Sequence, residues 1–283
     1  LFFTSLGMVY QLKCYKLPDS APQALGKPMI NMLPINQDEN IHTVMPMPED
    51  EETWQNLQII FATKNGNIRR NQLSDFTNIR QNGKIAMKLN EEDELVSVIP
   101  CGDTDNILLA TRLGKAIRFD VHDVRVFVGR GSSGVRGIRL KPNDYVVSMS
   151  LIPNLENRFI LSVTENGFGK RTPIDDYRMT NRGGQGVANI ECSARNGPVV
   201  ASYVASEDDQ IMLVTNSGKL IRIRVHGGEG DSIRVAGRKT QGVRLFDVEE
   251  GEKVVSVALL SENEDEQDEE NSEDVVENKN DGK

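Results

Sequence analysis

The feature that most constrains the fold of this chain is a pattern that recurs five times. Its first marker is a Thr-x-x-Gly turn between two apolar runs, found at 4–7, 63–66, 111–114, 164–167 and 215–218. A second glycine follows each turn by 17 to 24 residues and opens another apolar run, at Gly26, Gly83, Gly134, Gly186 and Gly242. A short apolar run after a polar turn is the third marker, at 41–44, 95–98, 146–149, 199–202 and 254–257. Three markers in the same register predict one supersecondary unit that is repeated five times.

Each repeat has the composition of about four short β-strands. β-Branched and apolar runs alternate with Gly, Asn and Asp turns, and no run of useful length has the helical period. Units of roughly 50 residues with four strands are typical of propeller blades, and a closed ring of blades leaves few exposed strand edges. We therefore predict an all-β, propeller-like domain over 1–260, with repeats at about 1–48, 57–101, 106–152, 158–205 and 210–260. A pair of unrelated β-sandwiches would not explain the common register of the markers.

Charge is distributed unevenly along the chain. The formal net charge is −9, but 261–283 contains eleven acids and two lysines, which leaves 31 acids and 31 bases for 1–260. A segment this acidic cannot bury enough apolar surface to order itself. We therefore predict a disordered acidic tail at 261–283 and a domain that is close to neutral.

The sequence has no pattern of catalytic or metal-binding residues. The string at 129–134 matches G-x-G-x-x-G, but an apolar β-run follows it, whereas a dinucleotide site needs a helix there. The three histidines lie in different repeats, and the three cysteines are far apart, which favours packing roles and a reducing compartment. No apolar run reaches the roughly 18 residues of a membrane span. We expect no cofactor and no metal in this chain.

Because the chain opens inside a strand, we also expect a fragment of a longer protein.

The basic residues recur at fixed places in the repeats. Four residues after the first-marker glycine stand Arg70, Arg118, Arg171 and Arg222. Three or four residues before the second glycine stand Arg80, Arg130, Arg182, Arg238 and Lys239. The first repeat lacks both kinds of base and has Gln11, Pro22 and Gln23 instead. Bases at equivalent places in successive blades predict a positive stripe that binds the phosphates of bent duplex DNA without reading bases. The aromatic content of 5% argues against a stacking platform for single strands.

Five stretches of the sequence resemble the C-terminal domain of the DNA gyrase A subunit. They read ATKNGNIRRNQLSDF, GKIAMKLNEEDELVSV, SSGVRGIRLKPNDYVVSM, ENGFGKRTPIDDY and GRKTQGV. The resemblance extends over about 1–260 and implies a six-bladed β-pinwheel, a propeller-like ring in which blades exchange strands and a basic rim wraps duplex DNA. It also implies partners, namely the B subunit of gyrase and the N-terminal part of the A subunit, in a bacterial, cytoplasmic A2B2 complex that introduces negative supercoils. In that complex ATP and Mg²⁺ are used by other domains or subunits, and the catalytic tyrosine lies in the N-terminal part of the A subunit.

One departure from the family pattern concerns its first blade, which carries a Gln-Arg-Arg-Gly-Gly-Lys-Gly box needed for wrapping. This chain has five repeats and no such box, and the nearest string, at 181–186, is only partial. We therefore expect that the fragment begins after the first blade. The C-terminal domain of topoisomerase IV is an alternative of the same class, and a propeller that binds only proteins is an alternative of another class. The nine bases of the stripe are the predicted DNA contacts, and the acidic tail is predicted to compete with DNA for them.

Overall fold

The computed structural model describes residues 1–21, 24–152, 158–227 and 232–260. The strands of this part of the chain are β1 Phe2–Thr4, β2 Met8–Tyr10, β3 Ile41–Val44, β4 Gln58–Thr63, β5 Asn67–Gln72, β6 Lys84–Ile85, β7 Leu95–Cys101, β8 Asn106–Thr111, β9 Lys115–Asp120, β10 Val126–Phe127, β11 Val135–Arg136, β12 Val146–Ile152, β13 Phe159–Thr164, β14 Phe168–Pro173, β15 Val187–Ala188, β16 Val199–Ala205, β17 Gln210–Thr215, β18 Leu220–Arg224, β19 Val243–Arg244 and β20 Val254–Leu260. The helices described are short 3-10 turns at Cys14–Lys16, Met29–Asn31, Glu51–Asn56, Leu73–Phe76, Val121–Asp123 and Ile174–Asp176. The all-β prediction is confirmed. The predicted tail at 261–283 lies outside the described residues, as do Pro22 and Gln23.

The first of two compact units comprises Leu1–Thr111, Lys115–Asn154 and Arg178–Val187. Its first sheet has the order β3-β1-β2-β6, and its second has the order β7-β4-β5-β10, with β11 also paired to β5. A third sheet contains β12, β8 and β9 in that order. The last strand of the first sheet, β6, belongs to the second repeat, and β11 in the second sheet belongs to the third repeat. Neighbouring repeats of this unit therefore exchange a strand, as the family resemblance implied.

The second unit comprises Arg112–Gly114, Leu155–Tyr177 and Ala188–Lys283. Its first sheet has the order β16-β13-β14-β19, in which β19 of the fifth repeat pairs antiparallel with β14 of the fourth. Its second sheet has the order β18-β17-β20 within the described residues. The same exchange of one short strand therefore recurs in this unit.

The Thr-x-x-Gly markers form the turn between the first two strands of each repeat. In four of the five turns the threonine hydroxyl accepts a hydrogen bond of 3.2 or 3.3 Å from the backbone N–H four residues later. The glycine of every turn has a φ between 73° and 83°. A side chain is disfavoured at such φ values, which explains why glycine recurs at this place.

The second-marker glycines of the second to fifth repeats stand where the exchanged strand passes close to the strand that it joins. A Cβ atom on Gly134 would lie 2.3 Å from the carbonyl oxygen of Ile68, and one on Gly186 would lie 2.4 Å from that of Ala116. Ile68 and Ala116 both stand two residues after a first-marker glycine. The two glycine markers are therefore linked in space, because the second allows the backbone of one repeat to approach the hairpin of the repeat before it.

Apolar side chains from adjacent sheets form the cores of both units. In the first unit, Phe3, Phe61 and Phe76 are fully buried, with ring centroids 5.6 to 6.1 Å apart. In the second unit, a core between the two sheets includes Leu161 and Ile211. Burying such side chains contributes roughly 1.5 to 3 kcal/mol each, so the strands that carry the basic residues are held on a packed scaffold.

An acid that precedes the last strand of a repeat accepts hydrogen bonds from the turn threonine. Glu252 is buried and accepts from the Thr215 hydroxyl at 2.7 Å and from the Ser217 hydroxyl. These bonds, that of Ser217 first, lower the pKa of Glu252 to about 2. The carboxylate is therefore part of the turn's hydrogen-bonding network in its charged form.

Candidate nucleic-acid interface

Two of the four strand arginines predicted to contact DNA are buried. Arg70 is 5% exposed, and its guanidinium donates to the carbonyl oxygen of Val121 at 3.0 Å and to Asp103 at 3.1 Å. Arg171 is 4% exposed and donates to the carbonyl oxygen of Ile233 at 2.6 Å and to Glu207 at 3.3 Å. A phosphate contact requires accessible N–H groups, so the prediction of direct DNA contact does not fit the placement of Arg70 and Arg171.

The two other strand arginines lie nearer the surface. Arg118 is half-buried, and its Nε donates to the side-chain oxygen of Asn106 at 3.1 Å. Arg222 is exposed, and its Nε donates to Gln210 at 2.7 Å. In both cases this partner is the side-chain amide at the first residue of the neighbouring strand. These placements are compatible with the predicted phosphate contact, which stays a prediction.

The loop arginines share one contact that recurs in three repeats. Arg130 donates to the carbonyl oxygen of Ile85 at 2.9 Å, Arg182 to that of Arg136 at 3.0 Å, and Arg238 to that of Ala188 at 3.0 Å. Each acceptor stands two residues after a second-marker glycine, on the exchanged strand of the preceding repeat. Each of the three arginines is half-buried. The contact therefore fixes one side of the guanidinium and ties the loop to the exchanged strand.

Arg80 and Lys239 complete the set of predicted loop bases, and both are exposed. Within the described part of the chain, neither side chain forms a hydrogen bond or a salt bridge. Arg80 lines the same surface depression as Arg130, and Lys239 adjoins Arg238 in sequence. The structure thus brings the loop bases Arg80 and Arg130 together, whereas Arg70 and Arg171 belong to the interior.

Two fully buried cations that hold the basic loops were not among the predicted site residues. The Arg69 guanidinium donates to the carbonyl oxygens of Gly129, Arg130 (2.8 Å) and Ser132 (2.9 Å). Burial lowers the pKa of Arg69 to about 10. Three carbonyl contacts from one side chain fix the backbone of the loop that carries Arg130.

Lys170 has the equivalent role in the fourth repeat. It is fully buried, and its Nζ lies 2.6 Å from the carbonyl oxygen of Gly237. Burial first, and then the nearby charge of Arg238, lower the pKa of Lys170 to about 8. Lys170 and Arg69 both stand three residues after a first-marker glycine. This shared register is the signal in the sequence that could have identified both residues.

Other candidate chemistries receive no support from the described residues. The loop at 129–134 leads into the strand β11, so it lacks the helix that a dinucleotide site requires. Within the described ranges, no group of three or more His, Cys, Asp or Glu side chains could hold a metal ion. No described helix is long and apolar enough to cross a membrane.

The sheets and loops define a class of protein. Repeated sheets of about four strands that exchange short strands with their neighbours are typical of a propeller-like domain, and here the loops of the second to fifth repeats present a cation at an equivalent place. The chain matches the family described as "DNA gyrase C-terminal domain, beta-propeller" over 1–46, 58–102, 105–153, 158–197 and 209–261. It belongs to this family, which confirms the resemblance and the fold class predicted from the sequence.

Curated relatives agree with this membership. The chain is 43% identical to the DNA gyrase A subunit of Rickettsia bellii over 98% of its own length and 35% of the relative. It is 39% identical to that of Staphylococcus epidermidis over 94% of its length and 29% of the relative. The chain thus spans about a third of the length of the curated relatives that it matches.

Solved structures share the fold. The C-terminal domain of DNA topoisomerase IV matches with a TM-score of 0.82 and 29% identity, covering 92% of this chain and 78% of that one. A DNA gyrase A C-terminal domain matches with a TM-score of 0.75 and 26% identity, covering 92% and 81%. The E. coli ParC C-terminal domain, at 15% identity and a TM-score of 0.62, supports the fold alone.

Proposed function

We propose that this chain binds duplex DNA and wraps it, as the C-terminal domain of a DNA gyrase A subunit. The proposal rests on family membership together with the repeated placement of the loop bases. The cations that contact phosphates are Arg118, Arg222, Arg80, Arg130, Arg182, Arg238 and Lys239. Arg70 and Arg171 support the loops from inside the protein. DNA bound by such contacts is recognised through its backbone and its capacity to bend, without base readout.

The observation that carries the proposal is the recurrent anchoring of the loop arginines. At least one guanidinium N–H of each of these arginines, Arg130, Arg182 and Arg238, donates to a backbone carbonyl of the exchanged strand. A guanidinium has five N–H donors, so the single bond of Arg130 leaves four for a phosphate. Because the side chain is already fixed, binding costs less conformational entropy than it would for a mobile arginine. Repetition of this arrangement suits a ligand that has a charge at regular intervals, as duplex DNA has.

The wider role that we propose is support of ATP-dependent negative supercoiling by a type II topoisomerase. In this proposal the chain acts in a bacterial, cytoplasmic A2B2 complex with the B subunit of gyrase and the N-terminal part of the A subunit. ATP and Mg²⁺ serve other domains or subunits of that complex, and this chain contributes no catalytic residue. Its contribution is the path that it imposes on the bound duplex.

The test is a ligation experiment. Nicked circular DNA is closed by ligase in the presence of the chain, and the change in linking number is read on a gel. We expect a signed shift that grows with the amount of chain and falls as salt is raised. The variant Arg222→Gln should reduce the shift, whereas the control Lys16→Gln, an exposed lysine of the first repeat, should not. An unchanged linking number at low salt with saturating chain would refute wrapping.

A second candidate, the corresponding domain of topoisomerase IV, is favoured by one observation. The solved topoisomerase IV domain has a higher TM-score against this chain than the solved gyrase domain, 0.82 against 0.75. The A subunit of a Rickettsia gyrase, carrying this chain in place of its own last third, would separate the two. With the B subunit of gyrase and ATP, it should supercoil relaxed plasmid if the chain is a gyrase domain. Relaxation without supercoiling would favour topoisomerase IV.

The remaining alternative, a propeller that binds only proteins, makes a different prediction. Such a domain would show no salt-dependent affinity for duplex DNA. Measuring the dissociation constant of a fluorescent duplex at several salt concentrations decides the matter. A negative log–log slope of several units is expected for DNA binding through several phosphates.

A further inference from the structure

A surface depression of about 430 Å³ lies between loops of the second and third repeats, in the first unit. It is lined by Asn78, Arg80, Asn82, Gly83, Lys84 and Arg130. Three of these residues are cations and none is an acid. The depression is therefore a small, polar and positively charged recess on a blade surface.

The three cations are not neutralised by the protein around them. Within the described residues, none of Arg80, Lys84 and Arg130 takes part in a salt bridge. The pKa of Lys84 is lowered, first by burial and then by the charge of Arg130, while Asp75 opposes the change and Arg80 adds to it. Like charges held this close raise the free energy of the empty site, and an anion between them would relieve that repulsion.

Neighbouring carbonyl groups hold two of the cations in place. The Lys84 Nζ donates to the carbonyl oxygen of Thr77 at 3.0 Å, and Arg130 donates to that of Ile85 at 2.9 Å. The backbone of the Arg130 loop is fixed in turn by buried Arg69. The positions of Lys84 and Arg130 are thus set before any ligand binds, which favours binding of a compact anion over transient surface contacts.

Among the second to fifth repeats, each of which has a second-marker glycine followed by a short strand of the preceding sheet, only the second has a lysine directly after that glycine. The residue after the second-marker glycine is Lys84 here, but valine in the third, fourth and fifth repeats, at Val135, Val187 and Val243. Those repeats keep the loop arginine without the extra cation beside the glycine. Lys84 is therefore a local feature of the second repeat, and it adds a third cation to Arg80 and Arg130, which are loop bases that recur in register.

We propose that Arg80, Lys84 and Arg130 form a binding site for a single phosphate group. The group comes from the backbone of duplex DNA or from a free phosphate ion, since both present the same tetrahedral oxygen anion to the three cations. Three donors around one anion give the short, charge-assisted hydrogen bonds that phosphate sites use. The DNA form of the proposal rests on the proposed function, and the free-ion form does not.

The test compares charge-removing variants with a matched control in the 283-residue chain. Arg80→Gln and Lys84→Gln each remove one cation of the recess, Lys84→Arg keeps the charge, and Lys88→Gln removes an exposed lysine four residues further on. In the first arm, affinity for a fluorescent duplex is measured against salt. Arg80→Gln and Lys84→Gln should each weaken binding about tenfold at low salt and flatten the log–log slope by about 0.9.

The second arm uses inorganic phosphate at constant ionic strength, with chloride as the reference anion. The backbone amide resonance of Gly83 is followed by NMR. It should shift and saturate with phosphate in the unchanged chain and in Lys84→Arg, and it should not do so in Arg80→Gln or Lys84→Gln. The folded spectrum of each variant shows that the fold is kept.

The outcomes separate the possible sources of the phosphate. Loss of affinity and slope in the first arm supports a DNA phosphate, and loss in the second arm alone supports a free ion. If the unchanged chain binds phosphate but shows no salt-dependent DNA binding, the site stands and the proposed function fails. If Arg80→Gln and Lys84→Gln behave like Lys88→Gln in both arms, there is no phosphate site in this recess.

Discussion

Replacing Lys170 by methionine tests whether the interior of the fourth repeat holds a charged lysine. Lys170 is 0% exposed on β14, and its one described hydrogen bond goes to the carbonyl oxygen of Gly237. Burial and the charge of Arg238 lower its pKa from 10.5 to about 8, while Asp176 opposes the change. Methionine has a similar shape and no charge, so Lys170→Met removes the desolvation cost and leaves the Gly237 carbonyl without this donor.

The expected magnitude follows from the difference in proton binding between the two states. Below pH 8 both states bind the proton, and the full cost of burying the charge lowers stability. Between pH 8 and 10.5 the unfolded chain binds more protons than the folded one, so stability rises with pH. At 1.36 kcal/mol per pKa unit, the unchanged chain should gain about 3 kcal/mol by pH 10.5. Lys170→Met should not show this gain.

The assay is urea unfolding followed by far-UV circular dichroism at half-unit steps from pH 7 to 10.5. Other titrating groups are common to both chains, so they cancel in the difference between the two free energies of unfolding. That difference should move by about 3 kcal/mol in favour of the unchanged chain as pH rises. The control Lys239→Met removes an exposed cation from the loop that Lys170 contacts through Gly237. Its difference in the free energy of unfolding from the unchanged chain should not vary with pH. A flat difference for Lys170→Met would refute the assignment of Lys170 as a buried charge.

Three further predictions concern a buried acid, a turn glycine and the tail. Glu252→Gln should lower stability at pH 7, because hydroxyl bonds, that of Ser217 first, hold the pKa of Glu252 at about 2. The loss should shrink as pH falls below 4.5 towards 2, measured by urea unfolding against pH. Gly114→Ala should destabilise the chain by at least about 1 kcal/mol more than Gly218→Ala in the same assay. Both glycines have positive φ, but a Cβ on Gly114 would lie 2.1 Å from a carbonyl oxygen, whereas Gly218 has open space. Deleting 261–283, which contains eleven acids, should tighten DNA binding at low salt in a titration, and unchanged affinity would rule out competition by the tail.

The repeat markers could be read from the sequence because each has a strict local requirement. A Thr-x-x-Gly turn needs a residue that tolerates positive φ at its fourth place, and this requirement leaves a glycine in every repeat. The exchange of strands could not be derived from periodicity, because strands of two residues such as Lys84–Ile85 are too short to show alternation. That feature entered through the family resemblance alone.

The burial of two predicted contact residues could not be read from the sequence. Arg70 and Arg171 pair with acids that lie 33 and 36 residues away in the chain, at Asp103 and Glu207. The sequence around each strand arginine does not indicate an acidic partner so far along the chain. A charged residue in a strand is expected to face water unless it is paired, and here an acid and a backbone carbonyl hold each of the two guanidinium groups inside the fold.

The strand arginine of a repeat is therefore either buried or nearer the surface, and the residue directly before it in the sequence distinguishes the two cases. In the second and fourth repeats, the residue before the strand arginine is another cation, Arg69 or Lys170, and both cations of the pair are buried. In the third and fifth repeats that place is isoleucine, and the strand arginine is half-buried or exposed. Paired cations on consecutive strand positions face both sides of the sheet, so both must find partners in the protein. The single arginines lie nearer the surface, where a ligand can reach them. It follows that substitutions in the paired strands should act on stability and on loop order, whereas substitutions of the single arginines should act on the salt dependence of DNA binding.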